Sequence, residues 1–309
     1  MSRRARIRGA LAFLCLLYGA ALLAGLIAPY PYAEQHREFP FAPPTRLHFA
    51  HLQPFVYAWA PDQAGGYRED ASRAYPAGHL SGVFFPLGTD AFGRDIFSRL
   101  LYGGRVSLFS GLLAAFLSLA LGLLFGVVAG FFGGWPDRLL MRAGELVMAL
   151  PWLYLLLAVR ASLPLHIGTI QAFLLVVAII GGMGWVRPAR LIRGVALSGR
   201  ERAFVQAARG FGAGPGYLIR RHVLPLTAGV LVTQATILIP QYILAEVTLS
   251  FLGLGVGEPA PSWGNMLAEA RQYHALVSHP WLLAPGLALI PVLLAFLVLA
   301  DALLESPEP

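Results

Sequence analysis

The sequence predicts an all-α membrane protein with six transmembrane helices, and three observations predict it. Hydrophobic residues make up 57% of the 309 and charged residues only 13%, against roughly one quarter charged in ordinary soluble domains. The apolar residues gather into blocks of about 20, long enough at 1.5 Å per residue to cross a hydrocarbon core of roughly 30 Å. The basic residues behind the net charge of +7 fall between those blocks, as membrane topology requires, and not on one soluble face, as nucleic-acid binding would.

The first block, 9–28, follows Arg3, Arg4, Arg6 and Arg8, a basic flank that places the amino terminus in the cytoplasm. A cleaved signal peptide also begins basic, but the uncharged stretch is longer than the usual core of about 7–15 residues. Either reading delivers the next segment, 29–105, to the outside. That segment is polar, rich in Pro and aromatic residues, and shows no legible helix or strand pattern, although it has room for a small ordered cap. Further spans are expected at 106–132, 139–159, 170–186, 226–252 and 281–300. The chain thus divides into an amino-terminal helix (1–28), an external loop (29–105) and a five-helix core (106–304). Between the fourth and fifth spans lies a loop, 187–225, with eight Arg against one acid, Glu201. This excess places the loop in the cytoplasm, and counting spans from the amino terminus places it there independently. The carboxyl tail falls on the same side, although its charges are all acidic.

The second span carries small residues at intervals of four: Ser110, Ala114, Ser118, Gly122, Gly126, Gly130 and Gly134. One ridge is therefore nearly bare, and a neighbouring helix can approach its backbone. Two acids, Glu145 and Glu246, fall within apolar blocks, where a carboxylate costs about 2.5–3.5 kcal/mol. Each is expected to line a pathway, to pack between helices or to be paired. For Glu145, one turn beyond Arg142, the interfacial or ion-paired reading is favoured; Glu246 is expected to be buried in protein.

Several chemistries are excluded. All 23 basic residues are Arg and none is Lys, so neither a phosphate-binding Walker loop nor a Schiff base can be encoded. The single cysteine, Cys15, permits no disulfide within the chain and no cysteine metal cluster. No His-Glu-x-x-His or Gly-x-Ser-x-Gly motif occurs, and Gly253, Gly255 and Gly257 lack the strand-to-helix setting of a dinucleotide loop. His48 and His51 are read as ordinary surface residues. No metal, cofactor or catalytic residue is expected.

The cytoplasmic loop holds a helix-forming stretch from Glu201, a cluster of Gly210, Gly212, Gly214 and Gly216 around Pro215, and a second short stretch ending near Pro225. A helix, a sharp turn and a second short helix make a rigid projection suited to docking a partner protein. Here the sequence resembles the importer-type ABC permeases, whose cytoplasmic signature is Glu-Ala-Ala, three residues, Gly, nine residues and Ile-x-Leu-Pro. The matching positions are Gln206, Ala207, Ala208, then Arg209 within the spacer, Gly212, and His222, Val223, Leu224 and Pro225. Gln206 replaces the usual Glu, and His222 the frequent Ile. The ending Arg221 to Pro225 is typical of the peptide branch. A stretch from Pro86, with Gly88, Thr89, Asp90, Gly93, Arg94 and Asp95, and another from Ala245 through Gly255 to Leu267, resemble the C-type subunit of dipeptide, oligopeptide and nickel importers.

The resemblance implies a type I importer permease fold in the bacterial inner membrane, with both termini cytoplasmic. It also implies ATP-binding cassette subunits docked on the coupling loop, a second permease forming a heterodimer, and an external solute-binding protein. The ATP chemistry would belong to a partner, and the solute could be a peptide, a nickel chelate, an opine or a related small molecule. An ion-coupled secondary transporter would show paired, broken inverted repeats, and an intramembrane enzyme would need a nucleophile or metal set in the spans. The sequence displays neither.

Overall fold

A computed structural model describes residues 2–50, 53–62, 66–76, 84–151, 154, 158, 168–271 and 277–305. Helix α1, Arg3–Leu22, is followed by one turn, α2, Ala24–Ile27. The long α3, Ile96–Phe132, has no proline and no charge after Arg105 to interrupt it. It starts ten residues before the expected span, inside the stretch read as loop, because Asp95 caps it: its Oδ2 accepts the Ser98 backbone N–H at 2.8 Å. After a turn at Gly133 and Gly134, both at positive φ, α4 spans Gly134–Ala149. Gly134 therefore belongs to the turn and not to the small-residue ridge. Most of the second half of the expected span 139–159 lies outside the described residues.

Helices α5, Thr169–Gly184, and α6, Val186–Arg200, meet at a bend of 41°. Pro188 accounts for it: lacking an N–H, it leaves the Gly184 carbonyl without its helical donor, and its ring crowds that carbonyl. The expected loop 187–225 is accordingly too long at its start, since Arg187, Arg190 and Arg193 stand on a helix. Two short helices follow, α7, Ala203–Gly210, and α8, Pro215–Leu218. A π-helical turn, Ile219–Val223, then leads into α9, Leu224–Phe251. The second short helix does not end near Pro225. The Leu224 N–H reaches back to Ile219, and the widened turn carries the chain through a proline that an ordinary α-helical ladder would reject. Helix α10, Trp263–Glu269, and α11, Ala284–Leu304, complete the set.

Among the described residues, four helical stretches are long and apolar enough to cross a membrane: Arg3–Leu22, Ile96–Phe132, Pro215–Phe251 and Pro280–Leu304. The bent α5–α6 pair makes a fifth if counted as one span.

The segment 29–105, in which no helix or strand pattern is legible from the sequence, holds an antiparallel three-stranded meander: β1, His48–Ala50, β2, Gln53–Pro61, and β3, Tyr67–Pro76. Phe49 pairs with Pro54 and Trp59 with Glu69, and the register shifts at Tyr57/Ala58. Val56 and Ala58 are buried, the two-residue alternation of a half-buried strand.

The chain forms two compact units, one of Met1–Leu11, Ser110–Ala245 and Leu294–Pro309, the other of Ala12–Phe109 and Glu246–Leu293. In the first, the α5–α6 pair runs along the bare ridge of α3. Gly181 approaches Ala114, Gly184 approaches Ser118, and Gly122, Gly126 and Gly130 approach Pro188, Ile192 and Ala196. The partners advance together by three or four residues, so α6 and α3 are parallel. The same unit joins the chain ends: Arg3 Nε donates to the Ala302 carbonyl at 2.6 Å, and Arg6 pairs with Glu305.

Candidate functional site

The Arg-rich hairpin of the first unit is built by a specific helix ending. Phe211 closes α7, the Gly212 N–H bonds to Arg209 O at 2.9 Å, and the Ala213 N–H bonds to Ala208 O at 3.1 Å. These are the two reverse bonds of a Schellman cap, which needs a left-handed residue at its turning point. Gly212 supplies it, with φ of 85°. No atom lies near enough to forbid a side chain there, so the backbone conformation alone selects glycine.

The hairpin has an inner and an outer face. Val205, Leu218 and Val223 pack inward on Phe131 and Ala196. Ala207 is exposed, and Arg209 reaches over the Phe131 ring, its guanidinium carbon 5.9 Å from the centroid. Gln206 Nε2 donates to the Arg200 carbonyl at 3.1 Å, so it braces the start of its own loop. His222 lies between two rings, with Phe204 at 5.7 Å and Tyr217 at 5.8 Å. Leu224 and Pro225 begin α9. Outward stand Phe204, Tyr217 and above all Phe211, which is 93% exposed. A shallow groove runs between Ala208, Phe211, Gly214 and Tyr217.

The second unit gathers the other signature residues into a buried ionic cluster. Asp90 Oδ1 accepts the backbone N–H groups of Phe92 at 2.8 Å and Arg94 at 3.0 Å, and Oδ2 receives Arg94 Nε at 2.5 Å. Arg94 continues to Glu258 at 2.5 Å and Glu269 at 3.0 Å, while Arg99 joins Glu258 at 2.9 Å. Thr89 stitches the preceding loop, accepting the Ala42 N–H at 2.7 Å and donating to the Phe39 carbonyl at 2.5 Å. Gly88 turns at φ of 77° where a β-carbon would meet the Ala42 carbonyl at 2.6 Å, and Gly93 makes a similar turn. Burial pushes the Asp95 carboxyl up to about 6 and that of Glu269 up to about 7. The partners Arg99, Glu258 and Glu269 escaped the sequence reading, because Arg94 and Glu258 stand 164 positions apart.

Glu246 is buried in the same unit, its Oε1 accepting from Ser250 Oγ at 2.6 Å. Glu145 is exposed and paired with Arg142 at 3.2 Å. His48 faces Glu69 at 3.2 Å; His51 lies outside the described residues. Among the described residues no three His, Cys, Asp or Glu side chains are placed to hold a metal ion.

Residues 122–308 match the family described as binding-protein-dependent transport system inner membrane component. The chain belongs to that family. Similar proteins agree. A peptide permease protein of Brucella suis is 42% identical over 72% of each chain. The dipeptide transport system permease protein of Bacillus subtilis is 38% identical over 72% of this chain and 68% of its own. The di/tripeptide transport system permease protein of Pseudomonas aeruginosa is 36% identical over 97% of this chain and 87% of its own. The chain is therefore a permease component of an ABC importer in the bacterial inner membrane, and the family assigns ATP hydrolysis to a separate subunit.

Proposed function

We propose that this permease imports peptides as one half of a permease heterodimer, six of its helices spanning the bilayer with both termini in the cytoplasm. The peptide assignment rests on the names of its relatives. The orientation rests on the Arg excess of 187–225, and the meeting of Arg3 and Arg6 with the 302–305 tail is in keeping with both ends on one side.

The observation that carries the coupling mechanism is the exposure of Phe211 at the tip of a hairpin whose inner face is bolted to α3. A rim of Phe204, Phe211 and Tyr217 is a surface that a groove on an ATPase subunit would bury, since aromatic anchors dominate interface energetics. Closure of the ATPases then pushes on α7 and α8, and the π turn and α9 carry the movement to the spans. To switch two packings nearly completely, ATP must favour one by roughly 5.5 kcal/mol. The test is reconstitution with partner permease, ATPases and binding protein. Phe211→Ala is expected to leave membrane insertion unchanged and to weaken ATPase association about tenfold or more; unchanged association and transport refute the docking role. In a Cys15→Ser background, a cysteine introduced beside Arg200 is expected to resist labelling from outside intact cells.

A further inference from the structure

Arg187 sets up a site that the docking mechanism does not use. It stands at the start of α6, just past the bend, on the wall of a cavity of about 340 Å³ within the first unit. That volume falls at the lower end of the range for small-molecule sites, roughly 300–1,000 Å³. Met148, Met183 and Leu238 give the wall apolar surface, and Arg187, Gln241 and Tyr242 give it polar groups. Arg187 and Gln241 are exposed, whereas Tyr242 is held back, its hydroxyl 3.0 Å from Ser118 Oγ.

The charge on Arg187 is the informative one. Farther along the same helix Arg193 is paired with Asp137, and Arg200 with Glu201. Among the described residues, no carboxylate lies within ion-pair distance of Arg187. It also stands about 20 Å from Arg200 along the helix axis, at 1.5 Å per residue, well away from the hairpin. Exposed on the cavity wall and without an ion-pair partner among the described residues, its guanidinium is open to an anionic group brought from outside the chain. Gly184, whose carbonyl loses its helical donor to Pro188, lines the same cavity. A planar cation, an amide and a freed carbonyl together match the end of a peptide: a carboxylate for Arg187, and backbone amide groups for Gln241 and Gly184.

We infer that this cavity is a way-station for the passing solute, in which Arg187 binds the terminal carboxylate of a peptide and Gln241 and Gly184 bind its backbone. The site rests on the reading of the chain as a peptide permease. Its apolar wall, which includes Met148 and Met183, tolerates side chains of varied shape.

The test uses the reconstituted importer and two peptides of one sequence, one ending in a free carboxylate and one in an amide. Each is presented on saturated binding protein, and each variant is compared with wild type on the same peptide, so that the preference of the binding protein cancels. Arg187→Gln is expected to slow translocation of the free acid about tenfold, the value of one charge-assisted contact. The amide should be slowed little, and Arg187→Lys should restore much of the free-acid rate. Equal slowing of both peptides, or of neither, overturns the site and leaves the peptide reading intact. Loss of the partner permease from Arg187→Gln on purification also overturns it, by making Arg187 the mate of an acid on that subunit. A wild-type importer that moves neither peptide brings down the functional reading and the site with it.

Discussion

A β-carbon on Gly126 would sit 2.6 Å from the carbonyl oxygen of Ala189, so α3 and α6 touch there backbone to backbone. In a bilayer, where apolar side chains gain nothing by leaving lipid, such close packing is what holds helices together. Gly126→Ala is expected to destabilise the detergent-purified protein by about 1–3 kcal/mol, the usual cost of overpacking, read as a lower melting temperature. Gly182→Ala is the control, because no atom lies within 4 Å of the added carbon. Equal melting of the two variants would refute backbone contact as the reason for the ridge.

Gly212 tests a different property of glycine. Space is open around it, and only its positive φ resists a side chain. Gly212→Val should therefore cost roughly 1–2 kcal/mol of hairpin geometry without disturbing membrane insertion, and ATPase stimulation by loaded binding protein should fall. Gly214→Ala, at an ordinary φ of −71°, should retain stimulation. Comparable loss from both would show that the hairpin is disturbed for some reason other than its cap.

These two glycines also show what the chain made legible. A spacing of four in an apolar block points to a bare ridge whatever packs on it, and a Gly-rich break between two helix-forming runs points to a turned hairpin. The bend at Trp185 was hidden because Pro188 lies among arginines, and a dense positive charge resembles a loop more than a helix. The sheet was hidden because Pro54 and Pro61 bracket a strand whose aromatic residues did not read as a regular alternation. The ionic cluster was out of reach for a third reason: its members are joined only by the fold, Asp90 and Arg94 on one segment and Glu258 and Glu269 on another.

That cluster predicts an asymmetric response to charge removal. Arg94 is nearly buried and contacts Asp90, Glu258 and Glu269. Arg94→Met would leave three carboxylates around one remaining cation, Arg99. Breaking a buried pair from one side costs about 3–5 kcal/mol, and the half-exposed Glu258 puts the expectation near the lower figure. Thermal unfolding in detergent measures it, and a loss well under 1 kcal/mol would show the network to be ornamental.

The same cluster predicts a pH dependence whose sign follows from burial. Glu269 is raised from 4.5 to about 7, and Asp95 from 3.8 to about 6, each chiefly by loss of water around its carboxyl. Between the ordinary and raised values the folded chain keeps a proton that the unfolded chain has released, so stability falls as pH rises through that window. The charged groups facing Glu269 account for the rest of its balance: Asp90 and Glu258 oppose its ionisation, and Arg94 and Arg99 favour it. The melting temperature is therefore expected to decline between about pH 4 and pH 7. Glu269→Gln removes the titrating group while keeping an acceptor for Arg94, so it should flatten the upper part of the decline and leave the lower part, which belongs to Asp95. A Glu269→Gln protein with the wild-type slope above about pH 6 would place the titrating carboxyl elsewhere.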